Sequence, residues 1–214
     1  IEHDPGAAEA MLAHLIKRVP LERSVRLLLH HRLARLRQRQ MRYAEAAAIA
    51  QTVLSYPLRV LQPVRGTLLL ILADTNLRMG NLAAAWQAIA QLHQQPINLV
   101  ERLQLLTVQT EYEVTVGADE AALGHVAERV RLAELLPAAQ CGLIHDMLAV
   151  AATRQQRTAL ADWLEQRTRL LVTEQQRRQL PQHLTHLNQQ ATHFTHPTDS
   201  SDSEAQAWQR STHG

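Results

Sequence analysis

Five prolines divide this 214-residue chain into nearly equal lengths. Pro20, Pro57, Pro96, Pro137 and Pro181 stand 37, 39, 41 and 44 residues apart. A proline inside a helix loses a hydrogen bond and its ring meets the preceding turn, so prolines collect at helix boundaries. Each interval has room for two helices of about four turns and two short connections. Within the intervals, apolar residues recur at the three-and-four spacing of an amphipathic helix. Between Gly66 and Pro96, Leu69, Leu72, Ala73, Asn76 and Leu77 lie on a first helix, and Gly80-Asn81 makes a turn. Leu82, Ala85, Trp86, Ile89 and Leu92 form the stripe of a second helix. A hairpin of two such helices cannot bury both stripes alone, so it needs similar neighbours.

The chain supplies them. Ala7–Val19 reads as a first helix, and Leu21–Gln40 as a second with Val25, Leu28, Leu29, Leu33 and Leu36 as its apolar stripe. Tyr43–Ser55 returns. Leu99–Val116, with Asn98 as N-cap, pairs with Glu120–Leu136, and Ala138–Thr153 pairs with Thr158–Val172. Five residues beyond the expected turn residues Met41, Gly80, Gly117 and Arg154 come Ala46, Ala85, Ala122 and Ala159. Four further on come Ala50, Ile89, Val126 and Trp163. A small residue early in the return helix lets two backbones approach, and the next apolar residue fills the core. Leu180, Leu184, Leu187, Ala191 and Phe194 fall on one face and predict a C-terminal capping helix. The expected layout is an N-terminal helix (1–20), a repeat domain (21–172), the capping helix (173–196) and a disordered tail (197–214). The repeat domain divides into units of about 21–57, 58–96, 97–137 and 138–172.

Composition supports an all-α reading. Aromatic residues make up 3% of the chain, and there are 7 glycines and 8 prolines, too few for many tight β-turns. Residues 1–107 hold 13 Lys+Arg against 7 Asp+Glu, whereas 108–214 hold 9 against 13. The N-terminal half therefore attracts anions. Cys141 is the single cysteine, so no intrachain disulfide forms. No apolar run reaches the roughly 18 residues of a membrane span, and no signal peptide is visible. A cytoplasmic location is expected on that basis. Ile1 in first position points to a processed chain or a piece of a longer one, which leaves an anchor or further domain open.

The chain resembles the tetratricopeptide (TPR) family of helix-turn-helix repeats over about residues 21–172. The resemblance rests on Leu69, Leu72-Ala73, Ala85, Ile89 and Pro96. Asn76 stands where the family has an aromatic residue, and the spacing exceeds the family's period of about 34 residues. The resemblance implies a right-handed α-solenoid whose first helices line a concave groove that holds a peptide or protein. Family groove positions fall on His31, Arg35 and Arg39 in the first unit, Asp74 and Arg78 in the second, and Gln104, Thr107 and Glu111 in the third.

Other patterns carry alternative chemistry. Arg32, Arg35, Arg39 and Arg42, with His31 beside them, lie along one flank. They fit an anion-binding strip for an acidic peptide, a C-terminal carboxylate or a phosphate, against the commoner reading of such a charge run as a solvated helix face. Nucleic acid is disfavoured because no stacking aromatics interleave with the charges. His183, His186, His193 and His196 lack the Cys or carboxylate company of a metal site. Cys141 and His145 lie one turn apart, the spacing of a thiol and base, yet also of two core residues. No Gly-rich phosphate loop, nucleophile elbow or dinucleotide fingerprint is present, and no cofactor is expected. The expectation is a non-enzymatic module that binds the acidic segment of a protein partner within a larger bacterial assembly. The alternative is an effector-sensing or self-associating regulatory domain of a larger transcriptional or signalling protein. Self-association follows from the apolar ends that open repeat stacks expose.

Overall fold

A computed structural model describes residues 5–18, 22–56, 62 and 64–173. The described residues are all-α: ten helices hold 81% of them, with no strand. The helices are α1 (Pro5–Arg18), α2 (Arg23–Arg39), α3 (Tyr43–Leu54), α4 (Arg65–Arg78) and α5 (Leu82–His93). Next come α6 (Leu99–Thr115), α7 (Asp119–Gly124), α8 (Val126–Ala133), α9 (Ala138–Arg154) and α10 (Thr158–Leu171). The predicted capping helix and tail, and Pro20, Pro57 and Pro181, lie outside the described residues. None of the helices is long and apolar enough to cross a membrane.

One local design appears four times. Helices α2, α4, α6 and α9 each end in a residue with left-handed backbone: Met41 (φ 60°), Gly80 (74°), Gly117 (72°) and Gln156 (57°). These stand 39, 37 and 39 residues apart. In every case the next N–H reaches back five residues, from Arg42 to Arg37, Asn81 to Asn76, Ala118 to Glu113 and Arg157 to Ala152, at 2.8–2.9 Å. The left-handed residue's own N–H bonds three back. This pair of bonds satisfies carbonyls that a helix end otherwise leaves orphaned. The residue after the left-handed one then starts the return helix, and its carbonyl accepts from Ala46, Ala85, Ala122 or Ala161. All four alanines are buried. A second small column, Ala34, Ala73, Thr110 and Ala149, is buried seven residues before each left-handed residue.

Three expectations need correction. The fourth turn centres on Gln156, two residues beyond Arg154, because α9 remains helical through Arg154. The buried alanine is consequently Ala161, and Ala159 is exposed. The third return helix is not continuous over 120–136. It breaks at His125 (φ −124°, ψ 36°), between Gly124 and Val126, and Leu123 and Val130 take the core positions while Val126 is half-buried. Finally, α2 buries Leu27, His31 and Ala34, while Val25 and Leu28 stay 40% and 44% exposed. The consecutive leucines Leu27, Leu28 and Leu29 offer two stripes, and the turn at Met41 selects the one that places Ala34 in the small column.

Packing follows chain order. Within hairpins, α2 packs on α3, α4 on α5 and α9 on α10. Between them, α3 packs on α4, and the first helices touch in succession: α2 with α4, α4 with α6, α6 with α9. Two apolar clusters result. One runs from Leu27 to Val108 and the other from Val114 to Leu164, with α6 contributing to both. Helix α6 opens on a reciprocal cap: Asn98 Oδ1 accepts from the Glu101 N–H and Glu101 Oε2 accepts from the Asn98 N–H, both at 3.0 Å. Asn98 is the N-cap that the sequence predicts, and Glu101 answers it from three residues on.

Candidate partner-binding face

The first helices jointly line a groove of about 300 Å³. Arg35 and Gln38 come from α2, and Thr67, Leu70, Ile71 and Asp74 from α4. Gln104, Thr107 and Val108 come from α6, and Gln140 and Leu143 from α9. Four of the eight residues expected at a groove therefore meet here: Arg35, Asp74, Gln104 and Thr107. The floor is apolar through Leu70, Ile71, Val108 and Leu143, and amides and hydroxyls stand around it.

The other four lie elsewhere. Arg78 and Glu111 form a two-pronged pair, Nη1 to Oε1 at 2.5 Å and Nη2 to Oε2 at 2.9 Å. Arg78 also donates from Nε to Asp74 Oδ1 at 3.3 Å. Glu111 is 1% exposed, so its charge is spent on Arg78 inside the protein. Arg39 is exposed. His31 is buried with neither ring nitrogen partnered, and the structure does not bring it to the groove. Burial first, then Arg35 and Arg32, pulls its pKa down to about 4, so the ring is neutral near pH 7.

Polar ties join successive first helices near the turn end. Gln38 Nε2 donates to Asp74 Oδ2 at 2.6 Å, joining α2 to α4. The Arg78–Glu111 pair joins α4 to α6. Arg154 Nη1 donates to the Val114 carbonyl at 2.8 Å and pairs with Asp119 at 3.4 Å, joining α9 to α6 and α7. Arg78 thus serves both Asp74 and Glu111, and Arg154 serves Asp119.

The arginine flank divides. Arg42 pairs with Glu45 at 2.7 Å and Glu9 at 3.3 Å, and Arg37 pairs with Glu9 at 2.6 Å, which pins α1 to the first turn. Arg32, Arg35 and Arg39 make no hydrogen bond or ion pair among the described residues. Partial burial, then Arg39 and Arg32, push the Arg35 pKa down: three cations crowd one another with no acid between them. Arg35 carries this charge into the groove. The sequence marks these arginines alike, although Glu45, three residues beyond Arg42, is a local acid that sets it apart.

The remaining candidates resolve into structural roles. Trp86 stacks on Tyr112 at 5.4 Å, joining the second hairpin to α6. Cys141 is buried with Sγ 3.9 Å from His145 Nε2. Burial is the main effect that pushes the thiol up and the imidazole down, so both are held in their uncharged forms. The described residues contain no group of three His, Cys, Asp or Glu able to hold a metal. The C-terminal histidines lie outside them. Comparison with protein-family models, with curated proteins and with solved structures finds no match for this chain.

Proposed function

We propose that the chain is a non-enzymatic interaction module, a TPR-like α-solenoid that holds an acidic segment of a partner protein along α2, α4, α6 and α9. The observation that carries this reading is the asymmetry of charge in and beside the groove, which Asp74 and Arg35 line directly. Asp74, Glu111 and Asp119 are answered from within, whereas Arg35 and its neighbours Arg32 and Arg39 have no counter-charge. Three crowded cations are relieved by a bound carboxylate, and a desolvated guanidinium–carboxylate pair is stronger than an exposed one. The four-times-repeated turn supports the solenoid, because successive hairpins built on one turn stack their first helices side by side.

The test is fluorescence anisotropy with a short labelled peptide that alternates Glu with Leu, against its Gln-for-Glu counterpart. The acidic peptide is expected to bind, and to bind less as salt is raised. Arg35→Glu combined with Arg39→Glu should weaken it by about tenfold or more. Unchanged affinity in that variant rejects the groove assignment.

A further inference from the structure

A second concavity shares no residue with the groove. It is a crevice of about 370 Å³ between α8 and α10, within the range of roughly 300–1,000 Å³ of small-ligand sites. Val126, Val130 and Leu160 make it apolar, and the Trp163 ring, 43% exposed, forms one wall. Charges gather at its mouth. Arg167 places its guanidinium 5.0 Å from the Trp163 ring centre and pairs with Glu134, so these two charges cancel. Arg131 also lines the crevice and makes no hydrogen bond or ion pair among the described residues. The mouth therefore carries one uncompensated positive charge over an apolar, aromatic-walled floor.

We propose that this crevice binds a small flat organic monoanion, an aromatic ring bearing one carboxylate or sulfonate. The ring lies against Trp163 over Val130 and Leu160, where aromatic stacking adds to apolar burial. The anionic group faces Arg131. A cationic ligand meets Arg131 and Arg167, and Glu134 opposes a second negative charge. The proposal is independent of the groove and gives effector sensing a definite place in the molecule.

Calorimetric titration of the full chain with naphthalene-2-carboxylate tests it, alongside the methyl ester and 2-naphthylmethylammonium. One saturable site with Kd of about 0.1–1 mM is expected for a ligand of this size, with ester and ammonium bound about tenfold more weakly. Ala127 is exposed at the crevice, so Ala127→Trp fills it without disturbing the core and should abolish binding. Arg131→Glu should weaken the carboxylate and not the ester. Arg35→Glu with Arg39→Glu should leave it unchanged, which separates this site from the groove. Absence of saturable binding, equal binding of the three probes, or retained binding in Ala127→Trp overturns the proposal.

Discussion

The second and third hairpins begin with the same turn and end differently. Gly80 and Gly117 have φ of 74° and 72°, and the same hydrogen bonds surround them. Twelve residues beyond Gly80 stands Leu92, fully buried at the end of an unbroken α5. Twelve beyond Gly117 stands Arg129, also buried. Arg129 pairs with Glu113 at 2.7 Å, donates to Thr110 Oγ1 at 2.9 Å and reaches the Ala121 carbonyl at 3.3 Å. Glu113 is held in turn by Gln109 Nε2 at 2.7 Å. In a continuous helix the Ala121 carbonyl would accept from the N–H four residues on, at His125. There the helix is broken, and Arg129 takes that carbonyl. Gly124, the weakest helix former in the segment, stands at the break. One repeated frame thus tolerates either an apolar plug or a buried ion pair, and the ion pair accompanies a one-residue break in the helix. That break separates α7 from α8, and α8 forms one wall of the crevice.

Removing Arg129 is the strongest way to break this comparison. Arg129→Leu, which copies Leu92, leaves Glu113 buried without its cation and is expected to destabilise by about 3–5 kcal/mol in chemical denaturation. Leu92→Ala in the second hairpin should cost about 2–5 kcal/mol by leaving a cavity. Adding Glu113→Leu to Arg129→Leu should recover most of the loss, since replacing both members of a buried pair is often near neutral. If Arg129→Leu alone were harmless, the buried pair would hold nothing in place.

Acid should act on the first hairpin more than on the second. His31 occupies the place that Leu70 has, ten residues before the left-handed residue. Its pKa is about 4 in the folded chain against an ordinary 6.5. Between these values the unfolded chain binds the proton and the folded chain does not, so stability falls as pH drops from 6.5 towards 4. The loss attributable to His31 is at most about 3 kcal/mol, and His31→Leu should flatten the stability–pH curve over that window. His145, buried and also shifted down, keeps a smaller slope in the same direction.

The smallest effects separate the two kinds of turn. All four residues hold a left-handed backbone in which a side chain is strained; Met41 and Gln156 carry one there, whereas Gly80 and Gly117 carry none. Met41→Gly and Gln156→Gly should each stabilise by about 0.5–1 kcal/mol in thermal or denaturant unfolding, and Gly80→Ala or Gly117→Ala should destabilise by about 1 kcal/mol or more. Equal responses at all four positions would mean that the turns are not equivalent in energy.

Local features of this fold were legible in the sequence, and features that need a distant partner were not. Helix existence and order follow from proline spacing and apolar periodicity, and two of four turns from glycine. The fourth turn is not legible at Gln156, which carries no glycine signal. The break at His125 has only Gly124 as its local sign, and the Arg129 bond to the Ala121 carbonyl that goes with it is not legible locally. In the groove, Arg35 follows from its place on α2. Arg78 and Glu111 differ from it only through a mutual bond across 33 residues, which no local pattern announces.

The central claim is that the first helices together present one binding face. Amide chemical-shift mapping during titration with the Glu-Leu peptide tests it most directly. The account expects shifts confined to α2, α4, α6 and the start of α9, centred on Arg35, Asp74, Thr107 and Gln140. Shifts concentrated on α3, α5 and α10, with α2 silent, would contradict it.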